Sequence, residues 1–313
     1  MSYTCQYKNG ATVTILVPYD CNNNCPFCVN KADYRDKYQN KDMGKVIEGM
    51  YQLDSITPNC DYVFSGGEPF ANLEALVTLL ETVRKLNAKG SNHKLFINTT
   101  FPAFTEEDVR RMLSICSSYQ DVITGLNISR HLRKYVKECP DSVLEILKNM
   151  GMSIRINTVV YKNRDLENVN SHLERFKDFP VQIREDYTKC RIESLHDYDD
   201  PDGLLQNTLH AMNLKFNEDS FLFRNDFRWN YILRRNENGN NITLHRTLPY
   251  STIKTGDSEE INDIVIEPTG MVVTDWNDYG HPIDYEEYRR CMEEVKARRA
   301  KEKEDSSVKV KTI

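Results

Sequence analysis

Six short runs of β-branched and apolar residues alternate with longer amphipathic runs between residues 11 and 185. The short ones are "ATVTILVP" (11–18), "DYVFSGG" (61–67), "HKLFINT" (93–99), "DVITGLNIS" (121–129), "SIRINTVVY" (153–161) and "VQIRE" (181–185). Between them lie "MGKVIEGMYQL" (43–53), "LEALVTLLETVRKL" (73–86), "TEEDVRRMLSIC" (105–116), "DSVLEILKNMG" (141–151) and "DLENVNSHLERFKD" (165–178). The first set has strand character and the second has the helical period. Thr105, with Asp108 three residues on, marks the start of the third helix. Strands that alternate with helices pair in parallel, because parallel neighbours need crossover connections. The fold class expected is α/β, a partial (β/α)6 barrel over residues 1–190.

Beyond residue 190 the rhythm changes. A helix is expected within 196–218, around "GLLQNTLHAMNL". Strand-like pieces follow: "FLFR", "RWNYILRR" and "NITLHRT", the last two joined by the turn sequence "NENGNN" (236–241). "DIVIEPTGMVVTDW" (263–276) predicts a hairpin turning at "PTG". "DYEEYRRCMEEVKARRAKEKE" (284–304) predicts a helix with a solvated charged face. Residues 191–313 are therefore expected to form a smaller α+β C-terminal extension that caps the barrel.

Composition narrows the function classes. The net charge is −6, so no global basic field draws the chain to nucleic acid or anionic lipid. No apolar run reaches the roughly 20 residues of a membrane span. The opening "MSYTCQYKNG" has no secretory h-region, and a cytoplasmic location is expected. Nine cysteines, an odd number, predict reduced thiols rather than a disulfide framework.

Three of those cysteines, Cys21, Cys25 and Cys28, lie within "DCNNNCPFCVN" (20–30), directly after the first strand. Open α/β sheets place their chemistry at such strand ends. Spacings of four and three allow three thiolates to grip one face of an iron–sulfur cubane, which normally takes four cysteines, and so leave one iron open. Asn22, Asn23 and Asn24 are expected to supply left-handed backbone for a tight loop. A zinc site with a distant fourth ligand and three unrelated cysteines are the alternatives.

"CNNNCPFC" resembles the signature CxxxCxφC of the radical S-adenosylmethionine (SAM) superfamily, with Phe27 as the aromatic φ. "SGGEP" (65–69), at the end of the second strand, resembles the segment that holds the amino group of SAM in that superfamily. Glycines permit close backbone approach, and Glu68 brings a negative charge for an ammonium. The resemblance implies that Cys21, Cys25 and Cys28 hold a single 4Fe–4S cluster. It implies SAM contacts at Gly66, Gly67 and Glu68, at Asn98 in "NTT", at Ser129 and Arg130 in "NISRH", and at Asn157 in "RINTVV". Phe27 would pack near the adenine. Each of these polar residues is otherwise read as a strand cap or turn. The order of strands and motifs is most similar to the branch that holds the molybdenum-cofactor GTP cyclase and the peptide-modifying maturases.

Many of those relatives open their extension with a hairpin that ends in an auxiliary-cluster cysteine. Here Asp275 stands at that place, and the remaining cysteines show no CxxC pairing. The resemblance then implies reductive cleavage of SAM to a 5′-deoxyadenosyl radical, which abstracts a hydrogen from a small-molecule, nucleotide or peptide substrate. An electron donor such as flavodoxin or ferredoxin is implied with it. The alternatives are a non-catalytic iron–sulfur or SAM-binding regulatory protein and a zinc-binding interaction module.

Three stretches bear on the substrate. "FRNDFRWNYILRR" (223–235) interleaves four arginines with aromatics. It reads either as a surface for phosphate, carboxylate or a base, or as a solvated strand face over buried aromatics. Cys190 or Tyr187, after the sixth strand, is a candidate hydrogen donor to a substrate radical, against the ordinary role of a buried small hydrophobe for the cysteine. Asp275, Trp276 and His281 either line the cap or serve as turn and packing residues. His172 and His210 read as ordinary helix residues.

Overall fold

The computed structural model describes residues 2–5, 11–17, 21, 23–28, 40–186, 203–224, 228–234, 240–247, 253–276 and 280–310. Strand β1 (Ser2–Thr4) belongs to a small separate sheet. The next six strands are β2 (Thr12–Val17), β3 (Asp61–Gly66), β4 (Lys94–Thr99), β5 (Ile123–Ser129), β6 (Ile154–Val160) and β7 (Val181–Glu185). They pair in parallel, each with the next in the chain. Helices α1 (Met43–Asp54), α2 (Leu73–Ala88), α3 (Glu106–Ser118), α4 (Asp141–Asn149) and α5 (Val169–Arg175) lie between them in sequence. The six-fold strand and helix order read from the sequence is the order found.

Local chemistry sets the helix starts. The Asp42 side chain accepts from Lys45 N, and the Asn72 side chain accepts from Ala75 N. Thr105 and Asp108 form a reciprocal capping box on α3. The apolar stripe of α2, including Leu76, Leu79, Leu80, Val83 and Leu86, is fully buried. It belongs to one core with Tyr62, Phe64, Leu95, Ile97, Leu126, Ile156 and Ile183 of the strands.

Alternation then sends the other strand residues to the opposite face. In register, that face carries Ser65, Asn98, Asn127 with Ser129, Arg155 with Asn157, and Gln182 with Arg184. A bulge at Thr124, whose hydroxyl accepts from Leu95 N at 3.0 Å, keeps Leu126 on the core face.

The extension does not stand apart from this sheet. After α6 (Leu204–Ala211), strands β8 (Phe221–Arg224), β9 (Arg228–Arg234) and β10 (Asn241–Thr247) follow. β10 joins β7 in parallel, and β9 and β8 add antiparallel outside it. β11 (Ile253–Thr255) and β12 (Ser258–Glu260) form the small sheet with β1. β13 (Asp263–Ile266) joins β2 in parallel at the opposite edge, and β14 (Val272–Val273) completes the hairpin read around "PTG". Among the described residues the main sheet thus has eleven strands. The expected division at residue 190 falls outside the described residues.

The sheet is curled. In its strand order β9 and β13 are eight places apart, about 38 Å across a flat sheet at ~4.8 Å per strand. Yet the charge of Asp263 on β13 acts on Arg228 of β9. Helix α7 (Tyr285–Val310) fastens the N-terminal segment: Tyr3 N donates to Glu287 Oε1 at 2.7 Å, and Arg298 donates to Cys5 O at 3.2 Å.

Candidate functional site

Cys21, Cys25 and Cys28 sit, half-buried and without disulfides, in the loop after β2. Cys28 N donates to Cys25 O at 3.0 Å, closing a turn at Pro26 and Phe27. Burial pushes the Cys25 thiol up to about 12, and the charges of Cys28, Cys21 and Glu68 push the same way. The three thiols and the carboxylate therefore share one neighbourhood that favours a cation. Among the described residues no three or more His, Cys, Asp or Glu converge as a single metal ion requires. Thiolates of a cubane each take a different iron and do not need to meet at one point. Three thiols on a short loop fit that group.

Glu68 is 3% exposed, at the end of β3. Its Oε1 accepts from Phe70 N at 3.1 Å and from Thr99 Oγ1. Its Oε2 accepts from Thr100 N and Thr100 Oγ1, both at 2.7 Å. Four donors fill the lone pairs of the carboxylate. Burial raises its pKa, and these hydrogen bonds work against the rise. The strand ends of β3 and β4 are thereby locked together. Gly66 before it has φ +111°, and a Cβ there would lie 2.9 Å from Val17 O of the neighbouring strand. Only glycine satisfies both demands.

The loop is tied to the same point by Asn23. Its Nδ2 donates to Thr100 Oγ1 at 3.3 Å, and its Oδ1 accepts from Lys137 N at 3.0 Å. The expected use of the asparagines is corrected here. The non-glycine residues with positive φ among those described are Phe101 and Asn213, so Asn23 and Asn24 are not left-handed. Asn23 works through its amide, which pairs with two other loops that local sequence does not reveal. Asn22 lies outside the described residues.

Phe27 packs against three further rings. His131 lies at 4.6 Å between centroids, Tyr161 at 5.9 Å and Tyr135 at 6.0 Å. Tyr135 donates its hydroxyl to Asp165 at 2.8 Å. His131 Nδ1 accepts from Val159 N at 3.2 Å, and burial drives its pKa down to about 3. It is thus neutral. Sequence reading missed these three rings, although "NISRH" pointed to the loop that carries His131.

The remaining expected residues divide. Asn98, Ser129 and Asn157 share the polar face, in register across β4, β5 and β6 through Asn127. Asn98 Oδ1 accepts from Asn127 Nδ2 at 2.9 Å, and Asn157 Oδ1 accepts from Arg155 Nε at 3.2 Å. Arg130 turns away from them. It is fully buried, and it donates to Ser129 O at 2.7 Å, Thr100 O at 3.1 Å and Cys139 Sγ at 2.8 Å. Gly67 lies half-buried between Gly66 and Glu68. Cys190 and Tyr187 lie outside the described residues.

The cap residues are structural partners. Asp275 is fully buried and accepts from Trp276 N at 2.7 Å. His281 Nε2 is 2.7 Å from the buried carboxylate of Glu259. His172 pairs with Thr158 at 2.9 Å within the core.

Residues 9–133 match the family described as the 4Fe-4S single cluster domain. That span holds the three loop cysteines, Glu68 and Thr100. A search of curated proteins finds no match. Among solved structures, the native anSMEcpe with bound AdoMet is 22% identical and covers 56% of this chain and 51% of its own, at a TM-score of 0.44. The same protein has been solved with AdoMet and the Cp18Cys peptide, with the same identity, coverage and score. Streptococcus suis SuiB bound to S-adenosylmethionine is 13% identical and covers 83% of this chain and 57% of its own, at a TM-score of 0.48. The match thus spans about half the length of each of these neighbours. Among the described residues no helix is long and apolar enough to cross a membrane.

Proposed function

We propose that the protein is a radical SAM enzyme with a single 4Fe–4S cluster, acting on a small-molecule, nucleotide or peptide substrate and supplied with electrons by a flavodoxin or ferredoxin. The observation that carries this is the meeting of three loop thiols, after the first parallel strand, with Glu68 at the end of the second. When bound, the cluster and SAM supply one-electron cleavage of the sulfonium and a 5′-deoxyadenosyl radical that removes hydrogen from the substrate.

The protein's part is binding, orientation and exclusion of water. Cys21, Cys25 and Cys28 hold three irons. Asn23 and Thr100 fix their loop against the strand ends. Glu68 receives the ammonium of SAM when Thr100 Oγ1 turns its proton away; that hydroxyl still accepts from Asn23. Gly66 and Gly67 present backbone. Asn98, Ser129 and Asn157 meet the ribose and carboxylate. Phe27, with His131, Tyr135 and Tyr161, forms the apolar wall for the adenine. Arg130 acts as a positioning residue that ties the ends of β4 and β5, a reading its burial and its bonds to Ser129 O and Thr100 O support.

The test is anaerobic reconstitution. Wild-type protein should take up about four irons per chain and absorb near ~400 nm. With dithionite and SAM it should release 5′-deoxyadenosine. Replacement of the three cysteines by alanine should abolish both. A colourless protein overturns the reading, and a cluster that binds SAM without ever cleaving it favours the regulatory alternative.

A further inference from the structure

We propose that the loops after β5 and β6 form a docking surface for an acidic one-electron carrier protein, drawn to the cysteine loop by Lys134, Lys137, Lys162 and Arg164. The proposal rests on the radical SAM reading above and names the face through which its electrons enter.

Three contacts place these loops against the cysteine loop. Lys137 N donates to Asn23 Oδ1 at 3.0 Å. Tyr135 of the first loop and Tyr161 of the second lie 6.0 and 5.9 Å from Phe27, which stands between Cys25 and Cys28. Lys162 Nζ sits over the Tyr161 ring at 5.2 Å, and the charge of Arg164 acts on Tyr135. Cations thus stand on the very rings that touch the residue flanked by two of the thiols.

Burial sorts the charges of residues 131–139 and 161–168. The cations Lys134, Lys137, Lys162 and Arg164 are exposed. The acids are turned inward or held. Asp165 is fully buried; it accepts from the Tyr135 hydroxyl at 2.8 Å and from Lys162 N at 3.1 Å, and it pairs with Arg133 at 3.0 Å. The Glu138 side chain is 10% exposed and pairs with Arg175 at 3.4 Å. Glu167 faces water, where Arg133 holds it at 3.2 Å. Asp165 ties the two loops to each other, so the surface is ordered before a partner arrives.

This outward positive field belongs to a chain whose net charge is −6. Such a chain repels an acidic partner on average, and a locally positive face then fixes both its approach and its orientation. The same net charge opposes an extended polyanion, which would run beyond so small a surface. A cavity of about 400 Å³ in the first loop, lined in part by Arg133, Lys134 and Arg175, offers a hollow for a projecting acidic side chain. In the step served by this surface, one electron leaves the reduced carrier and enters the cluster. The carrier is oxidised, the cluster is reduced, and no bond forms or breaks.

The test uses cluster-loaded full-length protein and two acidic carriers as probes, a flavodoxin and a 2Fe–2S ferredoxin. Binding is measured calorimetrically at ionic strengths of about 0.01 and about 0.15 M. Saturable binding of at least one carrier is expected, severalfold weaker at the higher salt. The double variant Lys134→Glu, Arg164→Glu should weaken it by about tenfold or more. The double variant Lys296→Glu, Lys301→Glu, an equal change of charge on exposed positions of α7, should leave it nearly unchanged. Release of 5′-deoxyadenosine is followed with dithionite and with each reduced carrier. In the first double variant carrier-driven release should fall with the affinity, while iron content and dithionite-driven release stay at the wild-type level and show that the variant folds. Binding of neither carrier, or equal losses in both double variants, overturns the proposal. Binding of a duplex DNA probe through Lys134 and Arg164 in place of the carriers overturns it too. Normal dithionite-driven release without carrier binding sinks this surface alone, whereas carrier binding through these residues without any release sinks the radical reading and leaves the surface.

Discussion

Asn23 Nδ2 lies 3.3 Å from Thr100 Oγ1, and that hydroxyl donates in turn to Glu68 at 2.7 Å. The cysteine loop is thus coupled to two strand ends through one shared hydroxyl. Replacing Asn23 by alanine removes this bond and the one from Lys137 N. At about 0.5–1.5 kcal/mol each, the loop loses about 1–3 kcal/mol of its ordering. The Asn23→Ala protein should assemble a cluster but surrender it several times faster to a chelator, followed by absorbance near ~400 nm. Wild-type loss kinetics would refute the latch.

Glu68 gives a second prediction. In Glu68→Gln an amide nitrogen must replace one oxygen, and it faces a backbone N–H or a hydroxyl that donated to it. The loss of hydrogen bonds to a charged acceptor costs about 1.5–3 kcal/mol. The variant should retain iron near the wild-type content and bind SAM at least about tenfold more weakly, as read by equilibrium dialysis. Equal SAM affinity would remove Glu68 from the cofactor contacts.

Two glycines with positive φ separate backbone strain from crowding. Gly270 has φ +83°, and a Cβ there would lie 2.2 Å from Lys45 Cβ on α1. Gly256 has φ +59° with nothing within 4 Å of the same position. Gly256→Ala should cost only the left-handed penalty, about 1–2 kcal/mol. Gly270→Ala should add about 1–3 kcal/mol of overpacking, because the β13–β14 hairpin cannot stay seated on α1. Urea midpoints of the two variants test the difference.

His131 makes stability depend on pH. Its folded pKa of about 3 lies below the ordinary histidine value, so the unfolded chain binds the proton first. The contribution is complete above about pH 6.5 and is lost as pH falls toward 3. Between pH 7.5 and 5.5 this one group should remove about 1.4 kcal/mol. His131→Gln, which keeps an acceptor for Val159 N but does not titrate, should show a correspondingly flatter loss of urea stability. An unchanged slope would show that His131 is charged in the folded protein.

The barrel strands were legible because alternation and helical period are local properties, and short runs such as "INTVV" carry both faces of the sheet in their own sequence. The cysteine loop was legible for the same reason: Cys21, Cys25 and Cys28 fall within eight residues. The partners of Arg130 were not legible, because a strand-end arginine gives no sign of which way it turns. Cys139, nine residues on, and the Thr100 carbonyl on another strand end capture it.

Sequence by itself determined the order of strands and helices, the cap at Thr105, the hairpin at "PTG" and the gathering of three thiols in one loop, since each depends on residues close together in the chain. Tertiary structure alone decided that the extension joins both edges of the barrel sheet, that Asn23 reaches Thr100 and Lys137, and that His245 of β10 pairs with Asn230 of β9. Those contacts arise from strand register and sheet curl. Both are set by the packing of the whole core and leave no mark within any single segment.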